Sequence, residues 1–286
     1  MAGRVKKMGL KMCLRIGRWI RHRGLPVLVY HSIDDSGSYM STPPAMFRAQ
    51  VDYLQEKSLR AVSIPQLLEA VDDTGRVAED VICMTFDDGL RNFADVAWPI
   101  LHERGFSATV YVPTDFIGRD AAWYRDHGLA AMPCMDWDRL RAVQGQGADV
   151  QSHGRSHRAL TQLSTTEAQE EAATSRRVLE DEIGVIVEHF AYPYGAQNAE
   201  VRDVLRSVGY RSAATLGEGQ TPLDGDRLAI KRLSLDRIKI DDVAIARLSM
   251  AACVQGSYAW YVAIKGLARR VASFQAARDG HAERLD

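Results

Sequence analysis

Nothing in this chain approaches the length of a membrane-spanning helix, and the longest apolar run near its start, Leu25 to Tyr30, reads as a strand. The basic start is followed by neither an apolar signal core nor a small-residue cleavage site, so no secretory signal is read. Cysteine is scarce. Cys13, Cys83, Cys134 and Cys253 form no C-x-x-C pair, which argues against a disulfide framework or zinc knuckle and for a reducing compartment. Cys83, inside Val81-Ile82-Cys83-Met84, reads as a buried free thiol. Excess charge is also lacking: 36 Lys+Arg stand against 37 Asp+Glu, a net charge of -1, so no nucleic-acid partner is expected. What is there, 286 residues with 46% apolar and 26% charged, suits a soluble (β/α) barrel.

Strand-like and helix-like segments alternate, which argues for α/β architecture with parallel strands. Strands are expected at Leu25–His31, Val81–Phe86, Ala108–Val112, Ala148–Gln151, Val185–Tyr192 and Tyr210–Thr215. Helical spacing marks Pro44–Glu56, a segment through Phe93 and Leu101, a segment from Trp137 capped by Asp136, Thr165–Ile183 and Val201–Val208. The number of units favours a distorted (β/α) barrel. The ends differ from the middle. Residues 1–33 contain no acidic residue, and Arg4, Lys7, Lys11, Arg15 and Arg18 form a basic stripe beside Val5, Met8, Met12, Ile16 and Trp19. Trp260, Ile264, Leu267, Val271 and Phe274 form a second amphipathic stripe. The expected division is a basic N-terminal segment at 1–24, a catalytic barrel at 25–250 and an amphipathic helix and tail at 251–286. The end segments suit either an anionic membrane surface or packing on the barrel.

Three short motifs carry the chemistry. Thr85-Phe86-Asp87-Asp88-Gly89 follows a buried strand, so its carboxylates sit at the strand's carboxyl end, where barrels build active sites. Adjacent side chains of extended backbone point apart, which lets one Asp ligate a metal while the other faces water. His153-Gly154-Arg155-Ser156-His157 spaces two imidazoles i, i+4, read as one side of a helical turn. Gly154 stands where a metalloprotease helix needs Glu, so a base must come from elsewhere, and Asp87 is available. Ala191-Tyr192-Pro193-Tyr194-Gly195 is a rigid turn after a strand. Arg155 reads as solvated, and His102, His127 and His189 have no motif context.

The order and spacing of these motifs resemble the polysaccharide deacetylase family, the NodB-homology domain or carbohydrate esterase family four, over about Leu25 to Leu235. The resemblance implies a distorted (β/α) barrel of the polysaccharide deacetylase type. It implies Asp87 as catalytic base, Asp88, His153 and His157 as ligands of one divalent metal, and the Tyr194 backbone N–H, beside Pro193, as an oxyanion donor. Zinc suits the mixed N/O set, as do cobalt, nickel and iron. The family's third motif usually opens with an Arg that pairs with the catalytic Asp, but here the position is Ala191 and that partner is missing. No late Leu-x-His supplies a general acid. His31, at the end of Val27-Leu28-Val29-Tyr30-His31, resembles the Tyr-His segment of one subgroup and can line the pocket or donate a proton.

The implied activity is removal of N-acetyl groups from N-acetylhexosamine units of a glycan or lipid-linked saccharide, releasing acetate. Deformylation, acetyl-ester hydrolysis or ring-amide hydrolysis would use the same machinery, and a non-catalytic glycan-binding barrel is the reading from another class. The basic ends place the expected enzyme in the cytoplasm, peripheral at the inner membrane.

Overall fold

The computed structural model describes residues 24–217, 219–235 and 243–254. Both basic amphipathic ends, and with them the expected lipid contact, lie outside the described residues. Among the described residues no helix is long and apolar enough to cross a membrane.

The barrel strands are β1 (Val27–Tyr30), β2 (Arg60–Val62), β3 (Val81–Phe86), β4 (Thr109–Val112), β5 (Asp149–Ser152), β6 (His189–Ala191), β7 (Ser212–Leu216) and β8 (Ile230–Ser234). All pair in parallel, in the order β1-β8-β7-β6-β5-β4-β3, and β3 returns to β1 to close the ring. β2 is wedged in: it pairs with the first half of β3, while β4 takes the second half of the same edge. That fork is the distortion of the barrel.

Residues of β3 are buried throughout, as a parallel strand covered on both faces requires. The period of two sorts them. Leu28, Tyr30, Met84, Phe86, Val110, Val112 and Phe190 join the large core under the helices, whereas Val27, Cys83, Tyr111, Ala191, Ala214 and Ile230 share a second, inner cluster. Cys83 is a buried free thiol. Thr85, Asp87 and Arg232 are in phase with the inner set, so polar side chains stand within the ring.

The helices are α1 (Pro44–Glu56), α2 (Ile64–Thr74), α3 (Trp98–His102), α4 (Trp137–Gly145), α5 (Thr165–Ile183), α6 (Ala199–Val208) and α7 (Val243–Val254). Asp136 caps α4 as expected, accepting from Arg139 N at 2.8 Å. Ser164 and Glu167 form a capping box at the start of α5, and left-handed Gly184 ends it. Ile64, Leu67, Leu68 and Val71 of α2 join the inner cluster.

Three expectations change. The strand read at Leu25–His31 breaks at Pro26, which has no N–H to donate: Gly24–Leu25 pairs antiparallel with Thr221–Pro222, and only Val27–Tyr30 enters the ring. The helix through Phe93 opens as a wide π-type turn over Phe93–Ala97, where Trp98 N–H reaches back to Phe93 O. Pro99, one residue on, lacks the donor that an α-turn would use there. The strand read at Val185–Tyr192 contracts to His189–Ala191. At the far end α7 runs through residue 250, the expected domain boundary, and its Ala246, Met250, Cys253 and Val254 join the main core. Gln50 of α1 accepts from Tyr30 Oη at 3.0 Å and donates to Ser249 Oγ at 3.3 Å, which ties strand, α1 and α7 together.

Candidate active site

The three motifs leave the carboxyl ends of β3, β5 and β6 and meet over the ring. Asp88, His157 and Tyr194 hold left-handed backbone with φ of 71°, 59° and 61°. Such backbone costs non-glycine residues about 1 kcal/mol or more each, and it persists where the surroundings impose it. At Asp88 it breaks the alternation of β3, so both adjacent carboxylates face one cleft instead of opposite sides of the sheet. Gly195 is required at its turn: a Cβ there would lie 2.7 Å from Leu216 N.

Asp88 Oδ1 lies 3.4 Å from His153 Nε2 and 3.1 Å from His157 Nε2. The three ligand atoms lie within 4.8 Å of one another, all buried. His153 Nδ1 is 2.8 Å from Ala191 O, a carbonyl that can only accept, so Nδ1 carries the proton. With Nδ1 so bound, Nε2 is the ring atom that faces the Asp88 carboxylate, the arrangement in which a cation between them would be held by both. Burial alone would raise the Asp88 carboxyl, but hydrogen bonding to His153 and His157 outweighs it and holds the group well below the usual carboxylate range. Burial keeps His157 below its ordinary value. One carboxylate oxygen and two imidazole nitrogens, buried and clustered, make the mixed O/N set that a divalent metal takes, so the residues fit the implied ion. His157 Nδ1 is buried without a hydrogen-bond partner. Its ring is instead clamped by Trp123, stacked at 4.0 Å between centroids and 16° between planes.

Asp87 does have an arginine partner. Arg232 of β8 donates from Nη1 to Asp87 Oδ1 at 2.6 Å and from Nη2 to Oδ2 at 2.7 Å. Further bonds run from Nη1 to Thr85 Oγ1 at 3.1 Å and from Nε to Thr215 O at 3.3 Å, and the guanidinium lies 5.5 Å from the centre of the Tyr111 ring. Burial would raise the Asp87 carboxyl. The charge of Arg232, followed by that of His153, reverses the effect and leaves it below its ordinary value. The expectation that Ala191 leaves Asp87 without an orienting cation is thus corrected, because the cation comes from a different strand. Ala191 is fully buried and small. The signal was present in Ile230-Lys231-Arg232-Leu233: Arg232 falls in the inward phase with Ile230, where a lone charge demands a partner.

The His pair does not lie on a helical turn. Residues 153–157 form a loop in which Gly154 (φ 78°) and His157 bend left-handed. Glu171, buried on α5, organises it by accepting from Arg155 N at 3.1 Å, Ser156 N at 2.8 Å and Ser156 Oγ at 2.7 Å. Arg155, expected to be solvated, has its Nε 3.5 Å from both Asp115 Oδ2 and Glu171 Oε1.

His31, Asp87, Asp88, His153, His157 and Tyr194 line one cleft. Gly195 of the third motif also lines it, and Tyr39, Met40, Trp123, Tyr124, His127 and Leu216, which no motif marks, complete its wall. The Tyr194 ring packs edge-on to His157 at 4.9 Å. Its turn is closed by Gly195 N–H to Tyr192 O and Ala196 N–H to Pro193 O, neither of which uses the Tyr194 N–H. Pro193 is buried and is not part of the cleft wall; its carbonyl accepts from Ala196 N–H at 3.2 Å. His189 sits at the amino end of β6 with Nδ1 2.8 Å from Ser212 Oγ, and burial lowers it to about 4.

A closed parallel barrel with an Asp-His-His cluster and an arginine-paired Asp on its carboxyl face places the chain among barrel hydrolases. The chain belongs to the polysaccharide deacetylase family, whose model matches residues 74–213. It is 24% identical over 209 residues to YxkH of Bacillus subtilis, a protein named as a polysaccharide deacetylase, covering 73% of this chain and 70% of that one. It is also 24% identical over 234 residues to the poly-β-1,6-N-acetyl-D-glucosamine N-deacetylase of Escherichia coli, covering 69% of this chain but only 34% of that protein. The structure of IcaB from Ammonifex degensii superposes with a TM-score of 0.66 at 22% identity, covering 84% of this chain and 97% of that one, and shares the fold.

Proposed function

We propose that this protein is a metal-dependent N-deacetylase acting on N-acetylhexosamine units of a glycan or glycan precursor. The observation that carries the reading is the convergence of Asp88, His153 and His157 beside an Asp87 that is ionised and fixed by Arg232. A divalent ion held by the three ligands, zinc being best suited, supplies Lewis acidity towards the acyl oxygen and lowers the pKa of water. Asp87 takes a proton from the attacking water. The Tyr194 N–H donates to the oxyanion as the carbonyl carbon becomes tetrahedral. The C–N bond then breaks, the nitrogen leaves with a proton delivered by His31, and acetate and a free amine result. An Ala at position 191 and the lack of a late Leu-x-His would suit a non-catalytic glycan-binding barrel; the pairing of Asp87 with Arg232 supports the catalytic reading against the first of these grounds.

The test is acetate release from N-acetylglucosamine oligosaccharides, with wild type and Asp87→Asn compared after metal analysis. Release by wild type that drops about 10²- to 10⁴-fold in a metal-replete variant is expected for loss of the base. Equal release by the two would remove Asp87 from that role, and no release from metal-loaded wild type would count against this substrate class.

A further inference from the structure

One short turn outside all three motifs touches two of the three ligand residues. Ala122–His127 is a tight 3₁₀ turn set between the paired segments Asp120–Ala121 and Met132–Pro133. Its Trp123 stacks on His157, and its neighbour Tyr124 donates from Oη to Asp88 Oδ2 at 2.6 Å. Tyr124 is 2% exposed and packs with Leu90, Ala121 and Cys134, so its ring has no room to swing away. The two oxygens of Asp88 are therefore in different employment. Oδ1 faces both imidazole Nε2 atoms, and Oδ2 is held by the phenol on the other side.

Resting on the metal-site reading above, we infer that Tyr124 is a positioning residue that keeps Asp88 a one-oxygen ligand. A carboxylate beside a divalent ion can ligate through one oxygen or both. A short bond from a phenol to the outer oxygen orients the carboxylate and opposes rotation into the two-oxygen mode, as outer hydrogen bonds do for ligands generally. The position that a second oxygen would fill then stays open for water and the acyl oxygen, which a catalytic site needs. On this inference Tyr124 acts through Asp88.

Cobalt-substituted protein tests this through its visible absorption, which weakens as cobalt gains ligands. Wild type is loaded with one equivalent of Co²⁺ beside His153→Ala, Tyr124→Phe and Asp88→Asn, with thermal unfolding of each apoprotein as the folding control. Wild type is expected to absorb and His153→Ala to lose the band. Tyr124→Phe keeps the ring, frees Oδ2 and should lose intensity at equal cobalt content. Asp88→Asn presents an amide nitrogen where Oδ2 was, so it should retain the wild-type intensity on whatever cobalt it binds. A Tyr124→Phe spectrum superimposable on wild type overturns the role of Tyr124 and leaves the metal site standing. Asp88→Asn with the weakened spectrum expected of Tyr124→Phe overturns one-oxygen ligation. A wild-type band that survives His153→Ala, or no band at all, overturns the metal reading and this inference with it.

Discussion

Asp87 and Arg232 are buried together, and neither is stable there alone. Removing the guanidinium would leave a desolvated carboxylate, a change that costs about 3–5 kcal/mol for buried pairs. Arg232→Lys keeps the charge but loses the two-pronged geometry that fixes both oxygens. Turnover is expected to fall by up to about 100-fold through misplacement of the base, with metal content unchanged. Steady-state kinetics beside metal analysis checks it. The combination Ala191→Arg with Arg232→Ala asks whether the cation can return to the family's usual position, and activity above that of Arg232→Ala is the expected result. His31→Ala should leave metal content intact and cut turnover sharply. Unchanged turnover would take His31 out of the reaction.

At the scale of elements, the readable parts of the site were those written contiguously. Asp87-Asp88, the His pair and Pro193–Gly195 each sit within a few residues of a strand end, so strand and motif were found together. Arg232, Glu171, Trp123 and Tyr124 reach the site from elements remote in the chain, and no local pattern announces a contact made only by folding. The helical turn read for the His pair failed for a related reason. Spacing i, i+4 is also satisfied by a loop, and the buried Glu171 that shapes this loop belongs to α5. Glu171→Ala would orphan three donors at once. It is expected to destabilise the protein by about 1–3 kcal/mol and to weaken metal binding, measurable by melting with and without added metal. Glu171→Gln, which keeps an acceptor, should lose less. Gly195→Ala meets Leu216 and adopts left-handed backbone, so it should impair turnover more than metal binding.

For the molecule as a whole, one buried carboxyl sets a pH dependence far from the chemistry. Asp149, at the amino end of β5, accepts from Thr109 Oγ1 and Gln151 Nε2, both at 2.7 Å. Burial outweighs both bonds and lifts its carboxyl to about 6. The folded state thus binds this proton more tightly than the unfolded chain. The contribution is complete below the unfolded value of about 4 and disappears as pH rises through about 6. Asp149→Asn should therefore gain stability relative to wild type between pH 4 and pH 8, by about 1–3 kcal/mol, in melting curves across that range. An equal difference at both pH values would show that the carboxyl does not titrate this way. Chelation should lower the melting temperature of wild type and have little effect on His153→Ala, since an ion bound only to the native state stabilises it by mass action.

The strand that carries Arg232 is also the strand that shuts the ring, joining β7 to β1. During synthesis Asp87, Asp88, His153 and His157 emerge well before it. A nascent chain that ends short of residue 230 has every motif and lacks the countercharge of its base. On the proposed reading, the strand that completes the barrel also supplies the countercharge of the base, so a chain without it would lack the fixed Asp87 that the reaction calls for.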